Sequence, residues 1–129
     1  GRPEDAERCF REAVRLNPVQ LEAWQMLLRA CHLLGGLRAD QGKDAALHYR
    51  AALEAGAKAA ELSPGTGRTQ EVMAGIWEGL AQEKARANAD PDAELRKAIE
   101  CYEAAIRAQP SAESRLRARI VRLKARIRR

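Results

Sequence analysis

Apolar residues along this chain recur three and four positions apart, the period of one face of an α-helix. No stretch alternates apolar and polar residues between turn signals, so no sheet is expected. The pattern predicts six helices. The first covers about residues 3–16 and the second about 18–34, with Asn17 and Gln20 spaced as a capping box and Gly35-Gly36 as its stop. An inserted loop should follow over about 36–43, then a third helix over about 44–62. After the turn cluster Ser63-Pro64-Gly65-Thr66-Gly67-Arg68, Thr69 can cap a fourth helix over about 70–87. Asp90 as N-cap and Pro91 at the first helical position open a fifth, about 91–108. A sixth starts near Ser111, with Leu116, Ile120, Leu123 and Ile127 as an apolar stripe that can lie against the fifth.

One motif recurs within these helices. Ala6, Phe10 and Ala13, followed by Pro18, match Ala98, Tyr102 and Ala105, followed by Pro110. The four-and-three spacing puts a small residue, an aromatic and a second small residue on one helical face, and the proline ends the helix. Such a face lets a neighbouring helix approach closely while the aromatic fills the gap. Ala45, Tyr49 and Ala52 repeat the spacing, but their proline arrives seven residues late, at Pro64 instead of position 57. Seven residues are about two turns, so the third helix should overshoot its neighbours on the same face, through Gly56.

Composition agrees with helix. Of 129 residues 46% are hydrophobic and only 4% aromatic, with Ala, Leu, Arg and Glu prominent. No apolar run is long enough for a membrane span. The chain opens in mid-motif without a Met and is expected to be a fragment, so a targeting segment could lie outside it. Cys9, Cys31 and Cys101 form no C-x-x-C pair, and His32 and His48 complete no metal set. The three cysteines read as small buried hydrophobes in a reducing, intracellular and most simply cytoplasmic setting. No nucleophile elbow, H-E-x-x-H or phosphate-loop spacing occurs, Gly65-Thr66-Gly67 included. Neither catalysis nor a metal or other cofactor is expected.

The +5 charge is uneven. Arg115, Arg117, Arg119, Arg122, Lys124, Arg126, Arg128 and Arg129 are 8 of the 23 basic residues and have no acid among them, leaving 15 bases against 18 acids elsewhere. The basic character therefore belongs to the last helix.

The A-x-x-x-[FY]-x-x-A-x-x-x-x-P motifs resemble the second helix of a tetratricopeptide repeat, whose period is about 34 residues. Trp24 with Leu27, and Trp77 with Leu80 and Ala81, resemble the first-helix signature W-x-x-L-[small]. Leu28 departs from it, since the family favours a small residue there. Counting from Trp77 places the second hairpin's alanine at Ala93, five residues before Ala98, so an insertion is expected there. The resemblance implies antiparallel helix hairpins stacked in a right-handed superhelix over residues 1–110, starting with the second helix of a repeat. Gly1 would be the turn glycine before that helix, leaving one of its faces open to self-association or another covering. Residues 111–129 would form a basic C-terminal capping helix.

Such repeats are non-enzymatic protein-interaction scaffolds, so the resemblance implies a partner's peptide or helix in a concave groove. The groove residues it implies are Gln25, Arg29 and His32 on one helix and Glu78, Gln82 and Arg86 on another. The Lys and Asn of the family's carboxylate clamp are absent from the places of Gln25, Arg29, Glu78 and Gln82, so chaperone-tail binding of that type is not expected. As the alternative, the basic helix could dock on RNA, an anionic membrane surface or an acidic partner. No aromatic interleaves its arginines for base stacking.

Overall fold

The computed structural model of the chain describes residues 2–65 and 67–127. Over these residues it is all-α, with six α-helices, one 3-10 turn and no strand. The helices are α1 (Arg2–Leu16), α2 (Leu21–Asp40), α3 (Ala46–Leu62), α4 (Gly67–Arg86), α5 (Asp92–Ala108) and α6 (Glu113–Arg126). The single 3-10 turn, Pro110–Ala112, precedes α6. None of the described helices is long and apolar enough to cross a membrane. The chain divides into two compact units, Gly1–Pro64 and Gly65–Arg129.

In the first unit α2 packs against both α1 and α3. Its core combines Val14 of α1, Ala23, Leu27, Leu28, Cys31 and Leu34 of α2, and Tyr49, Ala52, Ala55 and Ala59 of α3, all nearly closed to solvent. In the second unit α5 occupies the corresponding middle place, against α4 and α6. Leu95, Ala98, Tyr102 and Ala105 of α5 meet Ala74 and Ala81 of α4 and Leu116, Ile120 and Leu123 of α6 in one cluster, with Trp77 and Ile127 at its edge. The apolar stripe of the last helix thus lies on α5, as its spacing predicts.

The two hairpins turn in the same way. At the end of α2 the Lys43 N–H donates to the Arg38 carbonyl (2.9 Å) and the Gly42 N–H to the Ala39 carbonyl (3.0 Å). Gly42 has φ +72, completing a Schellman cap. At the end of α4 the Ala89 N–H donates to the Lys84 carbonyl (2.8 Å) and the Asn88 N–H to the Ala85 carbonyl (3.1 Å), with Asn88 at φ 59. Two residues further on, Asp44 accepts from the Ala46 N–H (2.9 Å) and Asp90 from the Asp92 N–H (3.0 Å), opening α3 and α5.

This correspondence runs through the whole chain at a spacing of 46 residues. Gly67 follows Leu21 by that interval and Glu113 follows Gly67; Asp92 follows Ala46. Helix ends repeat it in Leu16, Leu62 and Ala108, and the prolines in Pro18, Pro64 and Pro110. Helices α2 and α4 are each 20 residues long, and α3 and α5 each 17. By position, α6 is a third copy of α2 and α4.

Several local expectations change. The stop expected at Gly35-Gly36 is not used, and residues 36–40 of the expected loop extend α2 to Asp40. The connection is only residues 41–45, because Gly42 is the glycine in the left-handed conformation. In the second hairpin α4 ends at Arg86 and α5 begins at Asp92, close to the expected bounds, with a connection of residues 87–91. Thr69 is not a cap: it lies inside α4 and is 4% exposed, in the place that the buried Ala23 holds in α2. Asn17 and Gln20 make no capping box; Gln20 has no side-chain cap bond, and the Asn17 carbonyl accepts from the Gln20 N–H (3.2 Å). The overshoot of α3 through Gly56 to Leu62 is present. The α1 copy of the motif is open: Ala6, Phe10 and Ala13 are half-buried, whereas Ala98, Tyr102 and Ala105 are buried. Gly1 and Thr66, read as turn residues, lie outside the described residues.

Gly35 has a packing role. A Cβ there would come within 2.5 Å of the Tyr49 ring, so the bare backbone of α2 forms the notch into which that ring fits. A Cβ at the adjacent Gly36 would meet nothing within 4 Å. The two glycines should therefore respond oppositely to alanine in a denaturant titration. Gly35→Ala should destabilise by about 1–2 kcal/mol, overpacking outweighing the gain in helix propensity. Gly36→Ala should stabilise by up to about 1 kcal/mol. A stabilised Gly35→Ala protein would show that the ring relaxes freely.

Candidate functional site

The six expected groove residues fall three in each unit. On α2, Arg29 is exposed, while Gln25 and His32 are half-buried. His32 lies beside Tyr49 of α3, the ring centroids 6.3 Å apart and tilted by 53°. Burial lowers its pKa below 6.5, since the charged imidazolium would lose hydration. On α4, Gln82 and Arg86 are exposed and Arg86 pairs with Glu83 (2.9 Å). Glu78 is not an open groove carboxylate: it accepts from the Tyr102 hydroxyl of α5 and lies 3.9 Å from Arg119 of α6.

Tyr102 is the aromatic of the second motif, and its ring is in the core while its hydroxyl reaches the carboxylate. Its pKa is pushed up to about 12, by burial first and then by the bond to Glu78, which favours the protonated phenol. Arg119 donates to the same hydroxyl (3.4 Å). Tyr102, Glu78 and Arg119 therefore tie α5, α4 and α6 together.

The basic residues of the last helix divide into paired and open ones. Arg115 makes two bonds to Glu71 of α4 (2.5 and 3.2 Å), which hold the Glu71 carboxyl below its ordinary pKa. Arg117 pairs with Glu113 (3.3 Å) and approaches Glu103 of α5 (4.0 Å). Arg122, Lys124 and Arg126 make no ion pair among the described residues. Arg128 and Arg129 lie outside the described residues.

Arg119, Arg122 and Arg126, with Leu123 and with Glu78 of α4, line a cavity of about 300 Å³ between α4 and α6. It joins one residue of the expected groove to three of the expected basic patch, a meeting that neither set anticipated. Helix spacing places Gln82 one turn past Glu78 on the same face of α4.

A second cavity, of about 380 Å³, lies in the first unit between α1 and α3, over Trp24 and Leu27 of α2. The Trp24 indole N–H donates to the Pro18 carbonyl (2.8 Å), which fixes the tryptophan at its floor. Its two arginines are engaged within α1, Arg11 by Glu7 and Arg15 by Glu12.

The cysteines differ from one another. Cys31 is closed to solvent and donates to Glu7 (3.5 Å), with its pKa raised to about 12, mainly by burial. Cys101 is half-buried and raised to about 11, again mainly by burial. Cys9 is exposed, correcting the expectation that all three are buried. The reason is that α1 packs on one helix only. Among the described residues no three His, Cys, Asp or Glu side chains gather to hold a metal ion.

No known protein family matches the chain, and no curated protein matches it either.

His32 provides a pH test. Because its folded pKa is depressed, the unfolded chain binds the extra proton first as pH falls. Its contribution to stability is thus complete above the unfolded value near 6.5 and declines as pH falls toward the folded one. From about pH 7.5 to about pH 5.5 the native chain should lose more stability than His32→Gln in urea titrations. Equal losses would refute the burial of this imidazole.

Proposed function

We propose that this chain is a protein-interaction module without chemistry of its own, holding a peptide or helix of a partner in the groove between α4 and α6. The observation that carries the reading is the cavity where Glu78 and the arginines of α6 meet. It is concave, flanked by two helices that bring in side chains from segments far apart in the chain. Four of its five lining residues are charged, so a partner would be recognised there through ion pairs and hydrogen bonds.

The tetratricopeptide resemblance remains useful as a description of how the helices pair. The spacing of 46 residues exceeds that family's period of about 34, and the longer helices account for the difference. In this reading α4 and α6, which repeat one another by position within the second unit, are the helices that present partner-facing side chains. The module acts in a reducing compartment, the cytoplasm, where its exposed Cys9 stays a thiol.

RNA and membrane readings of the basic helix draw less support. The cavity lining contains no aromatic on which a base could stack. The apolar stripe needed for insertion into a membrane interface is buried against α5.

A photo-cross-linking amino acid separates the readings. Placed at Gln82 in cells it should capture a protein, while at the exposed Arg107 of α5 it should not. Equal labelling at both sites, or adducts with nucleic acid or lipid at Gln82, would overturn the proposal.

A further inference from the structure

The groove between α4 and α6 contains a ladder of ion pairs that stops partway. Glu71 meets Arg115 and Glu78 meets Arg119. Both positions rise together along the chain, so the two helices run in the same direction. One rung further, α6 offers Arg122 and Arg126, which line the cavity, but α4 offers Gln82 on that face. The next acid of α4, Glu83, is taken by Arg86. Three guanidinium groups thus surround the cavity against a single carboxylate, and that carboxylate already accepts from Tyr102.

We infer that this groove takes an acidic peptide segment, whose carboxylates occupy Arg122 and Arg126 where α4 lacks a third acid. The inference rests on the interaction-module reading and names the chemistry of the partner. The rungs already present are arginine–carboxylate pairs across the same two helices, so a carboxylate supplied from outside repeats an interaction this groove is shaped to make. Guanidinium forks suit that geometry, with two parallel N–H donors facing two oxygens. The cavity carries a formal excess of two positive charges, which steers an acidic segment toward it and away from the Glu71 end.

The test uses the full chain and fluorescence anisotropy at low salt. Its probes are a short labelled peptide with glutamates four residues apart, the same peptide with glutamines, inorganic phosphate as competitor, and a labelled oligouridylate. The glutamate peptide should bind and the glutamine peptide should not. Arg122→Gln with Arg126→Gln should weaken binding about fivefold, the loss of two partly exposed pairs. Gln82→Glu is the decisive variant. It completes the ladder from within, so it should weaken the peptide to a similar extent while raising the thermal midpoint. Unchanged affinity in Gln82→Glu would overturn this inference and leave the module reading standing, with the peptide elsewhere on α6. Loss of binding in Arg29→Glu alone would move the site to α2 and overturn it too. Absence of glutamate-peptide binding, or tighter binding of phosphate or oligouridylate, would also overturn it. Circular dichroism of each variant shows that changed binding does not come from unfolding.

Discussion

Both units depend on an aromatic ring set against a helix whose facing residues are small. In the first, Tyr49 presses on the bare backbone at Gly35. In the second, Tyr102 is buried in the cluster that Ala98 and Ala105 form with Ala74 and Ala81 of α4. Eleven of the 26 buried hydrophobic residues are alanines, set among leucines, isoleucines and the two tyrosines. Where the alanines face a neighbouring helix, dispersion contacts require the two backbones to come close, and the larger side chains fill the space between. The close approach at the second interface shows also at Gly67, where a Cβ would stand 3.1 Å from the Ala105 carbonyl. Everything carried on the outer faces is registered by these contacts.

That registration brings charged side chains from distant segments together. Arg115 and Glu71 are 44 residues apart in the chain and joined by two hydrogen bonds. Tyr102 couples the core to the surface, with its ring among the alanines and its hydroxyl on Glu78. Beyond the pairs that Glu71 and Glu78 make with arginines, Arg122 and Arg126 line the cavity with no ion pair among the described residues. The proposed function is therefore a consequence of register: shift α6 by one turn and the open rungs would move.

Much of this was legible in the amino-acid pattern. Apolar periodicity located all six helices, and the stripe of Leu116, Ile120 and Leu123 identified the face of α6 that is buried. The alanine and aromatic positions marked the close contacts. Local signals failed where a tertiary contact outweighed them. Gly35 reads as a helix stop, yet the ring of Tyr49 supports the helix across it, and the chain turns only at Gly42. Thr69 reads as a cap, yet it occupies a buried place within α4. The tryptophans suggested one register for the hairpins, whereas the turns and prolines follow another, the spacing of 46 residues. The basic run was plain, but the partners of Arg115, Arg117 and Arg119 include acids on α4 and α5 that helical spacing within one segment cannot reveal.

The central claim is that an aromatic seated in a small-residue notch sets the helix register. A double-mutant cycle on the first unit tests it most directly, combining Gly35→Ala with Tyr49→Leu and reading stability in urea. If the ring fills the notch, the alanine should be harmful beside tyrosine and neutral or helpful beside leucine, a coupling larger than about 1 kcal/mol. Additive effects of the two substitutions would mean that Tyr49 and Gly35 do not constrain one another, and the account would fail at its foundation.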